Sequence, residues 1–146
     1  MLGSLIKATS SSDKEINIKA TSRVWLYDPA WGMKDSGLKT GQGNDVISIT
    51  ADAGINSDSD TLRLFGNAAI ISNGLESSFI DSGAGNDRVS ISSIANAFNG
   101  KASAFGINKS AITTGNGNDE IEINTYANSR GQSLSTALEN STINAG

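Results

Sequence analysis

The segment TGQGND at residues 40–45 returns as SGAGND at 82–87 and as TGNGND at 114–119, each time followed by an x-Ile/Val-x-Ile pattern. A turn that recurs together with its strand marks a solenoid, in which each copy takes the same place in successive coils. The likeness also runs upstream of the turn. Gly32-Met33-x-x-Ser36-x-Leu38 matches Gly74-Leu75-x-x-Ser78-x-Ile80 and Gly106-Ile107-x-x-Ser110-x-Ile112, and a fourth copy closes the chain as Ala137-Leu138-x-x-Ser141-x-Ile143-x-Ala145-Gly146. A worn copy opens it: Ser4-x-Ile6-x-Ala8 leads through Ser10-Ser11-Ser12-Asp13 to Ile16-x-Ile18, with a one-residue slip in register. Aspartates 13, 45, 87 and 119 lie 32, 42 and 32 residues apart, so the unit is about 32 residues with about ten inserted in the second copy. Residues 1–146 therefore read as one solenoid segment. Its turns fall near 9–13, 41–45, 83–87 and 115–119, its insert at about 51–61 and a partial rung at 141–146.

Sixteen glycines against one proline, with Ile/Val alternating with Ser, Thr, Asn and Asp, describe short strands joined by tight turns. No 3.6-residue period competes, so the class is all-β. The alternation points Ile47, Ile49, Val89, Ile91, Ile121 and Ile123 inward. One coil cannot bury them alone; stacked coils can, each Ile sitting over its counterpart at the strand spacing of about 4.8 Å. The expected architecture is a right-handed parallel β-helix or β-roll of about four to five rungs, three strands per rung, forming a rod roughly 20 Å long. In the third copy the strands are placed at about 102–105, 108–114 and 120–126. The corners are then the Gly106 type, the Gly-x-Gly-Asn-Asp type and a variable loop such as 128–131.

Cysteine and histidine are both absent, which removes disulfides, Cys/His zinc sites, cysteine nucleophiles and Ser-His-Asp triads. The acids repeat with the fold rather than standing apart as a catalytic pair, so the reading is that the protein is not an enzyme. Net charge is −4 with scattered basic residues, a balance that disfavours nucleic acid and suits a cation. No window approaches a transmembrane helix, and residues 1–10 lack the apolar core of a signal peptide. Two expectations follow: export by a route that leaves no N-terminal mark, or an excerpt from a longer chain, the end in mid-repeat favouring the excerpt.

The turn carries the arguable chemistry. Its glycines permit positive φ, so several carbonyl oxygens can point one way while the aspartate adds a carboxylate. Hard oxygen ligands in a flexible loop suit calcium. Stacking would set Asp45, Asp87 and Asp119 in a column of like charges that a cation between them would relieve.

At these residues the chain resembles the haemolysin-type calcium-binding repeat family, the RTX repeats, whose nonapeptide reads GGxGxDxUx with U a large aliphatic residue. TGQGNDVIS, SGAGNDRVS and TGNGNDEIE follow it except at the first glycine, replaced by Thr40, Ser82 and Thr114. The resemblance implies a β-roll with calcium between turns, type I secretion and an extracellular or cell-surface home. Carried over by position, the metal ligands would be the carboxylates of Asp45, Asp87 and Asp119, with backbone oxygens around Gly41, Gly43, Gly83, Gly85, Gly115 and Gly117. One nonapeptide per 32 residues departs from the family's direct succession and implies a wider coil with a single calcium edge. Loss of the first glycine changes which carbonyl reaches the ion.

Other readings stand beside this one. The Asp side chain could bond turn amides with no metal present, as in an Asx-turn. Asn44, Asn86 and Asn118 are expected to stack as a ladder, and Ser36, Ser78, Ser110 and Ser141 as a hydroxyl column. Asp58 and Asp60 in the insert could form a second ion loop or be solvated acids. Trp25, Tyr27 and Trp31, near the only proline, could be an end-cap or a platform for a glycan. Function then divides between a calcium-binding extracellular structural module and a carbohydrate-associated module of a secreted polysaccharide-acting protein. The structural module would belong to an adhesin, a surface layer or a filament. The threonines are too irregular for an ice-binding face. Open strand edges at both ends lead us to expect calcium-promoted end-to-end association.

Overall fold

The structure, a computed structural model, describes residues 2–8, 10–23, 29–54 and 69–146. Trp25, Tyr27, Asp58 and Asp60 lie outside the described residues. Among those described there are thirteen strands and no helix. The first coil is β1 (Leu5–Lys7), β2 (Glu15–Arg23) and β3 (Ala30–Lys34), and the second is β4 (Gly37–Lys39), β5 (Val46–Gly54) and β6 (Ala69–Glu76). The third is β7 (Phe79–Asp81), β8 (Arg88–Asn96) and β9 (Lys101–Asn108). The fourth is β10 (Ala111–Thr113), β11 (Glu120–Asn128) and β12 (Gln132–Glu139), and β13 (Thr142–Asn144) opens a fifth. Equivalent strands stack in parallel into three sheets: β1-β4-β7-β10-β13, β2-β5-β8-β11 and β3-β6-β9-β12. The chain is thus a three-sided β-solenoid of about four turns.

Period-two alternation in β5 and β8 turns Ile47, Ile49, Val89 and Ile91 inward and Ser48, Thr50, Ser90 and Ser92 outward. Ile47, Ile49, Val89 and Ile91 are fully buried, as the alternation requires, while Ile121 and Ile123 pack half-buried against the same core from the fourth coil. Met33, Leu75 and Ile107 from the third sheet and Leu38, Ile80 and Ile112 from the first complete this aliphatic column. Burying each such side chain contributes about 1.5–3 kcal/mol. Where the second and third sheets converge the core is narrow, and Ala51, Ala53, Ala95, Ala102 and Ala104 fill it. Two buried hydroxyls tie the sheets there: Ser72 Oγ donates to the Ala51 carbonyl at 2.9 Å and Ser93 Oγ to the Ser72 carbonyl at 2.9 Å.

Two sequence expectations need correction. Gly106 is not a corner, since β9 runs through it to Asn108. The bend falls at Lys109, φ +48°, with Asp35, Ser77 and Asn140 in the same left-handed conformation in the other coils. Serines following the bend close it: Ser36, Ser78 and Ser110 amides donate to the hydroxyls of Ser78, Ser110 and Ser141 at 3.0–3.2 Å. Gly74 instead answers a close approach, because a Cβ there would lie 2.3 Å from Ile91 Cγ2. Second, β5 stays in register with β8 as far as Gly54 opposite Asn96, so the insertion falls within 55–68 and not from 51. The one-residue slip expected in the opening copy is present: Glu15 pairs with Val46, a 31-residue step, whereas Leu5 pairs with Gly37, a 32-residue step.

Lys109 holds a conformation that costs an L-residue about 1–2 kcal/mol, whereas glycine's extra unfolded-state freedom costs only about 0.5–1. Lys109→Gly is therefore expected to stabilise the fold by about 0.5–1 kcal/mol, seen as a higher urea midpoint at unchanged slope.

Candidate functional site

The corners joining the first sheet to the second stack into a seam. Gly41, Gly83 and Gly115 have φ of +98°, +92° and +81°. Each presses on the next: a Cβ on Gly83 would lie 1.7 Å from the Gly41 carbonyl oxygen, and one on Gly115 1.7 Å from that of Gly83. Gly85 and Gly117 repeat this against Gly43 and Gly85, at 2.0 and 1.7 Å. Glycine is required here by backbone contact between coils as well as by torsion. The Ala84 amide donates to the Gly41 carbonyl at 2.9 Å, and the Gly43 amide to the Ala84 carbonyl at 3.0 Å.

Three side-chain ladders cross the seam. The Asp45 amide donates to Asp87 Oδ1 at 2.9 Å and the Asp87 amide to Asp119 Oδ1 at 2.9 Å, so these carboxylates reach back toward the preceding coil. The asparagines reach forward: the Asn86 amide donates to Asn44 Oδ1 and the Asn118 amide to Asn86 Oδ1, both at 2.8 Å. The expected asparagine ladder is thus built through backbone amides. Thr40 Oγ1 donates to the Ser82 carbonyl at 2.7 Å and Ser82 Oγ to the Thr114 carbonyl at 3.4 Å, so the residues standing where the nonapeptide has its first glycine become inter-coil donors.

What these bonds leave over defines the site. Asp45 is fully buried and Asp87 is 2 % exposed. The Oδ2 atoms of Asp45, Asp87 and Asp119 are buried without a hydrogen-bond partner. A buried carboxylate half-satisfied in this way is costly unless a cation accompanies it. Only Asp45 has one. Lys14 sends Nζ into the first gap, donating to the carbonyls of Ser10, Ser12 and Gln42 at 2.9, 2.6 and 2.9 Å and lying 3.5 Å from Asp45 Oδ1. Its amide also donates to Asp45 Oδ1 at 3.0 Å. Among the described residues, no ion pair reaches Asp87 or Asp119.

All nine residues singled out from the sequence, Asp45, Asp87, Asp119 and the six glycines, therefore meet in one seam. Asp13 does not head the aspartate column: its Oδ1 accepts from the Asn44 amide at 2.8 Å, which is the asparagine role, and Lys14 takes the aspartate's place. Lys14 escaped the sequence reading because a lysine in an aspartate phase matches no motif; counting back from Ile16 opposite Ile47 would have found it. Among the described residues no three Asp, Glu, His or Cys side chains converge on one point, so each gap offers one aspartate plus neutral oxygens. The donor set fits a hard cation through the orphaned Oδ2 atoms and through the precedent of the ammonium among carbonyls, while the Gly41, Gly43, Gly83 and Gly85 oxygens abut the next coil.

Trp31 lies elsewhere, half-buried in a row with Asn73 and Phe105 along the third sheet. Together with Pro29, Lys34, Ile71, Glu76 and Asn108, these residues line a groove of about 270 Å³. Lys34 Nζ sits 4.0 Å from the Trp31 ring centroid, and Asn108 Nδ2 donates to Glu76 at 2.9 Å. Trp31 is thus a groove residue and not a lid over the core. Comparison with family models, with curated proteins and with solved structures finds no match.

Proposed function

We propose that the chain is a calcium-binding, non-catalytic structural repeat module of an extracellular or cell-surface protein, in which cations complete the glycine-corner seam. The observation that carries this reading is Asp87, a buried carboxylate with one oxygen unpartnered and no ion pair among the described residues. Lys14 supports it by doing with an ammonium what a calcium ion would do in the gaps below. Oxygen-only donors favour calcium over softer metals, and millimolar extracellular calcium suffices for modules of this kind. The RTX-like nonapeptides point to the same ion and to type I secretion. Because the orphaned oxygens are sealed from solvent, ion entry belongs to coil stacking itself and links binding to folding.

Equilibrium dialysis against calcium tests the assignment. Two ions are expected, at Asp87 and Asp119, since Lys14 serves Asp45. Asp87→Asn should hold one, and Lys14→Met should gain a third by vacating the first gap. Zero ions in all three chains would remove the reading.

The Trp31 groove favours a second reading, a carbohydrate-associated module. Trp31 and Phe105 stand two coils apart, about 10 Å, with the buried Asn73 Oδ1 unpartnered between them. Retention of the chain on an insoluble neutral polysaccharide, lost in Trp31→Ala, is the expected sign; equal retention of both would reject it.

A further inference from the structure

The groove on the outer face of the third sheet lacks one kind of partner throughout. Asn73 is 5 % exposed, yet its Oδ1 is buried without a hydrogen-bond partner, and so is Asn108 Oδ1. A buried amide oxygen left unpaired costs stability unless a donor reaches it. Glu76 stands beside Asn108 in register and accepts from its Nδ2, but among the described residues the carboxylate has no ion pair. Trp31 and Phe105 add ring faces, which attract positive charge. Orphaned oxygens, a carboxylate and ring faces all call for N–H groups that carry positive charge. The lining holds a single cation, Lys34.

Lys34 shows how such a group fits. It is the register partner of Glu76 on the neighbouring strand, yet its Nζ lies over Trp31, 4.0 Å from the ring centroid. The carboxylate is thereby left open to a second ammonium.

We propose that the groove binds a primary ammonium carried on an aliphatic stem, with Lys34 as a tethered competitor. An ammonium offers three donors and no acceptor, which suits a lining whose orphaned atoms are oxygens. Ile71, Pro29 and Phe105 give the stem apolar company. The groove's volume of about 270 Å³ falls below the roughly 300–1,000 Å³ of drug-sized sites, so it suits a ligand no larger than a side chain. Both amide oxygens are closed to water while Lys34 lies on Trp31, so binding requires Lys34 to swing away. Hydroxyls of a neutral polysaccharide would meet the amide oxygens but leave Glu76 without a counter-charge, so an amine is the better match. The chain's net charge of −4 adds long-range attraction. Amine binding here is independent of the cation seam and of a glycan. A free diamine and the lysine side chain of a peptide both present the required group.

Nuclear magnetic resonance titration in saturating calcium tests this, with putrescine as the free amine and Nα-acetyl-lysine amide as the peptide-like one. The side-chain amide resonances of Asn73 and Asn108 should shift together with the Trp31 ring protons, and the tighter of the two amines identifies the source. Glu76→Gln should weaken binding about tenfold. Lys34→Met should tighten it about fivefold by removing the competitor, a gain that a merely structural lysine would not produce. No shift with either amine overturns the proposal, as does equal affinity in Glu76→Gln or binding no tighter in Lys34→Met. Shifts confined to the seam around Asp87 overturn it too. So does a neutral gluco-oligosaccharide that moves the Asn73 and Asn108 resonances where neither amine does, a result that would leave the glycan reading standing.

Discussion

Gly83→Ala is expected to remove a large share of the chain's stability. The added methyl would stand 1.7 Å from the Gly41 carbonyl oxygen, and backbone cannot move aside as a flexible side chain can. Alanine at φ +92° is also in a region that L-residues avoid. Overpacking and torsional cost together come to about 2–5 kcal/mol, a large share of the roughly 5–15 kcal/mol that holds a domain folded. Gly54→Ala is the control: its nearest neighbour would be Arg23 Nη1 at 3.5 Å, an ordinary contact, and its φ is not left-handed. Urea unfolding should separate the two variants widely. A Gly83→Ala midpoint matching that of Gly54→Ala would mean that the coils do not press together at this corner.

Removing calcium is expected to have the next largest effect. If each ion is held at a hundred times its dissociation constant, it contributes about 2.7 kcal/mol, so two contribute about 5. For a chain of this size that corresponds to a fall of about 10–20 °C in Tm. Burial of the Oδ2 atoms adds a kinetic signature. Chelator added to folded protein should act only as fast as the seam opens, while protein refolded in chelator should show the low Tm at once. Identical Tm values in millimolar calcium and in excess EDTA after refolding would contradict the seam.

The solenoid, its three strands per coil and its buried residues were legible because each is written as repetition. Ile47, Val89 and Ile121 recur in one phase, and alternation alone decides which way they face. The serine column was equally plain. The bend at Asp35, Ser77, Lys109 and Asn140 was not, since four different residue types share that torsion, and the hydroxyls that accept from the amides following Asp35, Ser77 and Lys109 lie 31 to 42 residues away. The aspartates could be picked out as a set, but that Oδ1 is spent on an amide and Oδ2 left over is a property of stacked backbones. Lys14 shows the same limit: its role follows from a one-residue shift in pairing and from three carbonyls that only the folded turn gathers.

The most direct test of the cation seam is the dependence of unfolding free energy on calcium concentration, since its slope against the logarithm of free calcium counts the ions released when the coils come apart. Urea unfolding followed by circular dichroism across micromolar to millimolar calcium should give a slope of about two ions, falling to about one in Asp87→Asn. A slope of zero, with the chain equally stable at every calcium concentration, would show that the glycine corners close without a metal.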